Sequence, residues 1–443
     1  MTMREFSDKA FALATALGCE AAEAYFSEQD SFSVNASGGE IESYEVSKKG
    51  GLNLRVTLGG RDGYAYTEAL DDPEELVRRA MDNARVISTR DAHPMQGKCE
   101  YRRIERAPDA LGSLPEQERI ALALRLEKET LAQDERVKRV VFSEVGCGSG
   151  RVLIRNTLGL DAERDASMAF HYVMPFMQEG DEVRTGFAFR MGEEAADVSA
   201  CAAEAVRVVA AKFGAKPIPS GTYRVILQNT AMADLLDAFS GVFSAEEAQS
   251  GRSLLAGREG DAIAAASITI ADDPFHPIAP APFDDEGTPA YKKAIVENGV
   301  LRTLLHNLKT AKKAGVETTG NASRASASSP VDVGPSVCYI VPGDTPFDAL
   351  CGKLGTGLVV TELDGLHAGV DAISGDFSLK TSGYLVENGV RTVPVTEITV
   401  AGNFLTMLSS VETVGADLRF SLPGRACFGA PSLLVSSLTV AGK

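Results

Sequence analysis

The pentapeptide Val-Glu-Asn-Gly-Val occurs twice, at Val296–Val300 and Val386–Val390. In AIVENGVLRTLL and YLVENGVRTVPV, Asn-Gly lies between apolar flanks. A two-residue turn that matches the twist of paired strands needs positive φ at both central residues, which Asn and Gly tolerate. Two such turns commit this part of the chain to hairpins. VCYIVPG, TGLVVTEL, VTEITVAG and SLLVSSLTVAG read as further strands. No βαβ alternation is evident, so residues 222–443 are expected to form a β-rich domain, a large antiparallel sheet or open barrel.

Ahead of it the chain makes two similar passes. A helix near residues 3–18 places Phe6, Ala10, Leu13 and Leu17 at helical spacing, and a strand-rich region follows over 22–67. DDPEELVRRAMDNARVIS then offers Asp72 as N-cap and Pro73 in the first turn. The second pass opens with Ser113 and Glu116 at capping-box spacing, gives strands over 138–190 with a turn at RNTLGL, and closes on the helix AADVSACAAEAVRVVAAKFGA. The fold class expected is α+β, with an N-terminal region 1–215 that reads as a duplication of sub-units 1–110 and 111–215. KPIPSG, residues 216–221, reads as the linker. At 443 residues the chain is too long for one core.

Composition removes several functions. The net charge of −17 argues against nucleic acid as a ligand, because phosphate binding needs clustered Lys and Arg. No apolar run reaches membrane-spanning length, and MTMREFSDKAFALATALGCE does not read as a signal peptide, so the cytoplasm is expected. The seven cysteines form no C-x-x-C pair and read as reduced, mostly buried thiols.

Chemistry is harder to find. The histidines are His93, His171, His276, His306 and His367, none within five residues of another, which excludes a compact His-Glu-His zinc helix. In GVFSAEEAQSGRSLL, Glu246 and Glu247 point about 100° apart on a helix, and Ser244 with Glu247 fits a capping box instead. VGCGSGR lacks the lysine and spacing of a phosphate loop and reads as a turn. The segment Thr361–Gly389, dense in Gly, Asp and Ser, carries His367, Asp371, Asp376 and Ser378. It reads either as a loop lining a peptide groove or as two tight turns with Asx bonds.

GTGLVVTELDG, GVDAISGDFSLKTSGYLVENG and PVTEITVAGNFLTML resemble the C-terminal domain of the TldD/PmbA family. FDDEGTPAYKKAIVENGVLRTLLHNLKTAKKAGVETTGNASR and SGRSLLAGREGD fit upstream, and GEIESYEVSKKGGLNLRV and NTLGL fit the N-terminal region. The resemblance spans nearly the whole chain. It implies a cytoplasmic two-subunit peptidase, first described as a modulator of DNA gyrase, that cleaves unfolded peptides inside a chamber. It implies a TldD-type partner holding zinc with His-Glu-x-x-x-His and a cysteine, and a PmbA- or TldE-type subunit without those ligands. The metal helix would fall at Ala231–Ala248, which here has no histidine. The chain is therefore expected to lack a metal and a catalytic residue of its own. Its expected partners are a TldD-type subunit, or a second copy in a homodimer, and unfolded peptide. His367, Asp371, Asp376 and Ser378 are the peptide-binding candidates. The alternatives are an independent peptidase using His367 with Asp371 or Asp376, or Cys427, and a non-catalytic peptide-binding regulator.

Overall fold

The computed structural model describes residues 1–105, 109–422 and 424–443. The first pass comprises α1 (Met3–Ala16), β1 (Ala21–Ser37), β2 (Glu40–Leu58), β3 (Arg61–Thr67) and α2 (Pro73–Val86). The second comprises α3 (Glu116–Gln133), β4 (Val137–Asn156), β5 (Asp161–Glu179), β6 (Glu182–Thr185), β7 (Ala188–Met191) and α4 (Val198–Ala210). The order helix, strands, helix occurs twice, as the sequence pattern predicts. Both passes share one sheet, ordered β3-β2-β1-β4-β5-β6 with β7 also on β5.

Alternation along β1 sorts its two faces. Ala22, Ala24 and Phe26 pack with Leu52, Leu54 and Val56 beneath α1 and α2. Tyr25 points the other way, toward Ile154, Leu160 and Phe283. Helix α2 rides so close to β3 that a Cβ on Gly63 would lie 2.0 Å from the Ala80 carbonyl oxygen. Its start is as expected: Asp72 accepts a hydrogen bond from Glu75 N at 2.9 Å, with Pro73 in the first turn.

Two local expectations are corrected. Helix α3 begins after Pro115 with no side-chain cap, and the Ser113 hydroxyl donates to Ala110 O at 3.2 Å instead. Pro115 enters the helix with extended backbone, which leaves Ser113 in the preceding turn. VGCGSGR is not a turn either. It lies inside β4, paired with β1 on one side and β5 on the other. Its glycines mark positions without side chains in a strand, one of the meanings glycine has there.

The C-terminal strands are β8 (Gly221–Leu227), β9 (Ile270–Asp272), β10 (Lys293–Glu297), β11 (Val300–Leu301), β12 (Ala322–Ser323), β13 (Asp332–Val333), β14 (Val337–Ile340), β15 (Gly357–Asp364), β16 (Asp376–Glu387), β17 (Val390–Asn403), β18 (Val411–Val414), β19 (Arg419–Phe420), β20 (Cys427–Ala430) and β21 (Leu433–Ala441). One sheet runs β17-β16-β15-β8-β21-β18, and an added β17–β21 pairing closes five of these strands into a barrel. A second runs β11-β10-β9-β14-β20-β19. Both Val-Glu-Asn-Gly-Val segments are hairpins, with φ of 50° and 80° at Asn298 and Gly299 and 52° and 78° at Asn388 and Gly389. The pairing is antiparallel apart from β8–β15 and β14–β20, which are parallel. Each parallel pair is joined by a long crossover, which local turn signals do not reveal.

The barrel core includes Phe239 stacked on Phe404 at 4.4 Å between ring centroids. The peptide 216–220 is tied to this half, with Lys216 N donating to Pro394 O at 3.2 Å. The seven cysteines are free, five of them buried. Burial pushes the Cys201 thiol up to about 12, so it stays protonated. Among the described residues no helix is long and apolar enough to cross a membrane.

Candidate functional site

The face of the N-terminal sheet opposite its helices looks onto loops of the C-terminal half across a cavity of about 1380 Å³. Its sheet side sets small residues, among them Ser27, Gly148, Gly150 and Ser167, between larger ones such as Lys48, Tyr66, Arg151 and Met168. The facing wall comprises Asp284, Asp285, the segment 322–328 and Gly334–Ser336. Asp272, fully buried, holds both ends of that wall segment. It accepts from Asn321 Nδ2 at 2.7 Å and from Ser336 N at 2.8 Å, and pairs with Lys293 at 3.1 Å.

The loop FDDEG, residues 283–287, joins the two halves. Asp284 Oδ1 accepts from Glu286 N and Thr288 N at 2.9 Å each, and Oδ2 from Ala322 N at 2.9 Å. Asp285 Oδ1 accepts from the Tyr25 hydroxyl at 2.9 Å and from Arg164 at 2.6 Å, while Oδ2 accepts from Arg324 N at 2.7 Å. Glu286 accepts from Leu308 N at 2.8 Å, and the Tyr101 hydroxyl donates to Gly287 O at 2.7 Å. Burial raises the Asp284 and Glu286 carboxyls, while the N–H bonds each accepts pull the other way. Burial also pushes the Tyr25 phenol up, so Tyr25 is a donor to Asp285.

His367, Asp371, Asp376 and Ser378 lie elsewhere. All four are exposed and none lines the cavity. Asp371 Oδ1 accepts from Ile373 N at 2.8 Å and Ser374 N at 3.3 Å, bonds that lower its pKa. Asp376 accepts from Asn403 Nδ2 at 2.9 Å, and its carbonyl accepts from Asp371 N at 2.9 Å. Asp371 and Asp376 thus share one turn, while His367 sits on the preceding helical turn Leu366–Gly369 and Ser378 within β16. Cys427 is buried in β20 and its thiol is raised to about 11 by burial. The acidic run Asp284–Glu286 was the missed signal: three consecutive acids between Phe and Gly that turn out buried. Carboxylates are rarely buried without partners, but sequence does not show which acids are buried.

The window Ala231–Ala248 spans a helix at Asn229–Ala238, a 3₁₀ turn at Ser240–Phe243 and a short helix at Ala245–Gln249. Ser244 caps the last one, accepting from Glu247 N at 3.4 Å. Glu247 pairs with Arg252 at 2.7 Å and Glu246 with Lys309 at 3.6 Å, so both glutamates have structural partners. Asp234 has its carboxyl raised to about 6 by burial and by Asp237. These side chains do not fit a zinc centre. The window offers carboxylates only, and among the described residues no three of His, Cys, Asp and Glu come together to hold a metal.

Family models match the chain in order: PmbA/TldA metallopeptidase domain 1 over residues 22–84, the central domain over 109–213 and the C-terminal domain over 220–442. The chain belongs to the PmbA/TldD metallopeptidase family. A metalloprotease PmbA of Escherichia coli O157:H7 is 26% identical over 437 residues, covering 96% of this chain and 93% of that one. A solved structure from Thermotoga maritima, named as a candidate modulator of a DNA gyrase, superposes with TM-score 0.89 at 34% identity, covering 99% of this chain and 100% of the other. TldE from Thermococcus kodakarensis shares the fold, with TM-score 0.90 at 22% identity over 99% of this chain and 100% of that one.

Proposed function

We propose that this chain is the PmbA- or TldE-type subunit of a two-component peptidase, binding unfolded peptide in the cavity while a TldD-type partner supplies zinc and cleaves. The observation that carries the reading is the cavity itself. It is large enough for several residues of extended chain, and its lining of polar, charged and apolar side chains around Gly148 and Gly150 offers both backbone and side-chain contacts to a peptide. The absence of histidine from the window Ala231–Ala248 supports assigning the metal to the partner. In this reading the chain's own residues bind and orient peptide and shield it from bulk water. The complex works in the cytoplasm, and a homodimer forms where no TldD-type chain is present.

The test is to purify the chain alone, measure zinc by elemental analysis and assay hydrolysis of an unfolded peptide. Peptide binding without stoichiometric zinc or cleavage is expected, with cleavage appearing when a TldD-type chain is added. Stoichiometric zinc and chelator-sensitive cleavage by the chain alone would overturn the assignment. Mass spectrometry of co-purifying proteins checks the partner.

A further inference from the structure

We propose that Arg324 is an anion anchor in the cavity, taking a carboxylate of the bound peptide and making the cavity selective for peptides that carry one. The inference rests on the peptide-binding reading above and names the ligand chemistry of that same site.

The arginines lining the cavity are not equivalent. Arg151, Arg164, Arg190, Arg419 and Arg425 each pair with a carboxylate, Arg190 and Arg419 sharing Glu204 at 2.6 Å each. Arg324 lines the same cavity and, among the described residues, has no carboxylate partner. The nearby candidate, Asp285, is already engaged by three donors and paired with Arg164. One of its oxygens takes the Tyr25 hydroxyl and Arg164, and the other takes the backbone N–H of Arg324 itself. Asp285 therefore fixes the base of the Arg324 side chain without neutralising its head.

The head is held in a defined pose. The guanidinium carbon lies 4.6 Å from the centroid of the Tyr25 ring, and Nη1 donates to Ser329 O at 3.2 Å. Nε is buried with no acceptor. Of the five N–H donors of a guanidinium, one has a protein acceptor among the described residues. A ring beneath the guanidinium engages its face and leaves the Nη end, away from the buried Nε, available. A half-buried cation with a fixed base, a stacked face and unused donors is preorganised for a planar anion, and a carboxylate matches its fork in two parallel bonds. In a peptide that group is either the C-terminal carboxylate or an Asp or Glu side chain.

The experiment uses the full chain and fluorescence anisotropy with labelled unfolded peptides of one neutral sequence. One arm has a free C-terminal carboxylate, one a C-terminal amide, and two are amides with an internal Glu or Gln. Wild type is expected to bind at least one carboxylate-bearing peptide about tenfold more tightly than its neutral counterpart, the free-acid and Glu arms showing which source is used. Arg324→Met is expected to erase that difference while leaving affinity for the neutral amide within about twofold, and Arg324→Lys to restore part of it. Equal binding of all peptides by wild type, or a preference that survives in Arg324→Met, overturns the anchor and leaves the peptide-binding reading standing. Failure of wild type to bind any of the peptides overturns that reading and the anchor with it. Should Arg324→Met not fold, the wild-type comparison and Arg324→Lys decide.

Discussion

Two turns in this molecule use the same local device in opposite surroundings. Asp284 accepts the N–H groups of Glu286 and Thr288, and Asp371 accepts those of Ile373 and Ser374. Both are aspartates bonding backbone just ahead of them. Around Asp371 the bonds close locally, ending at Asp376 and Asn403 on the surface. Around Asp284 they reach across the molecule, because Asp285 holds Tyr25 of β1 and Arg164 of β5 and Glu286 holds Leu308 N. The turn chemistry is shared. What gives one of them a place in the site is burial and the distance its bonds cover.

The largest effect should follow from breaking the buried turn. Asp285→Ala removes the acceptor of the Tyr25 hydroxyl and the carboxylate partner of Arg164, leaving that charge beside an apolar cluster with only the Phe283 carbonyl as acceptor among the described residues. Removing one partner of a buried ion pair costs about 3–5 kcal/mol. Urea unfolding should show that loss, and peptide affinity should fall with it. A loss below about 1 kcal/mol would remove this loop as the joint between the two halves.

The two turns should also respond to pH with opposite signs. Burial, with Asp284 nearby, raises Glu286 toward about 8, so the folded state holds its proton more tightly than the unfolded chain. Its contribution is fully present below the ordinary carboxylate pKa and is lost as pH rises toward that raised value. Glu286→Gln should match wild type near pH 5 and exceed it by about 1–3 kcal/mol near pH 9, read from unfolding midpoints at each pH. Asp371 runs the other way: its N–H bonds lower its pKa, so its stabilisation is present at neutral pH and lost as pH falls through the depressed value. A Glu286→Gln variant whose stability advantage over wild type is no larger at pH 9 than at pH 5 would break the contrast.

Asp234 separates burial from partnership, since it is half-buried within the helix Asn229–Ala238 and its carboxyl has no hydrogen bond among the described residues. Burial and Asp237 raise its carboxyl to about 6, so charging it above that pH costs stability. Asp234→Asn should stabilise the chain by about 1 kcal/mol at pH 7.5 and by nothing near pH 4. A destabilised variant at pH 7.5 would show that the carboxylate has a cationic partner in solution.

The α+β fold was legible because its signals are local. Asp72 with Pro73 starts α2, and the two Asn-Gly pairs sit at the φ values that tight hairpins require. The parallel pairings β8–β15 and β14–β20 were not legible, because what sets them is where a long crossover returns. The glycines of VGCGSGR have the composition of a turn, and only pairing with strands on both sides sets Gly148 and Gly150 along the cavity. The site divides along the same line. The absence of histidine from Ala231–Ala248 is visible in the sequence, whereas the importance of Asp285 depends on Tyr25 and Arg164, both remote in sequence.

The smallest effects should come from the exposed turn, and they decide whether composition or burial locates the peptide site. His367 is exposed, and Asp371, Asp376 and Ser378 share a surface away from the cavity lining. If peptide lies in the cavity, His367→Ala and Asp371→Ala should each change its affinity less than about twofold, within the range expected for surface substitutions. Asp371→Ala should also loosen the turn locally, visible as faster amide exchange at Ile373 and Ser374, the two N–H groups it now binds. A tenfold loss of peptide affinity in either variant, with Asp285→Ala unaffected in binding, would move the peptide site to the exposed turn. Partial losses at both places would instead describe one peptide long enough to touch the cavity and the turn together, and lengthening the peptide from about 6 to about 15 residues would then raise affinity only while His367 and Asp371 are intact.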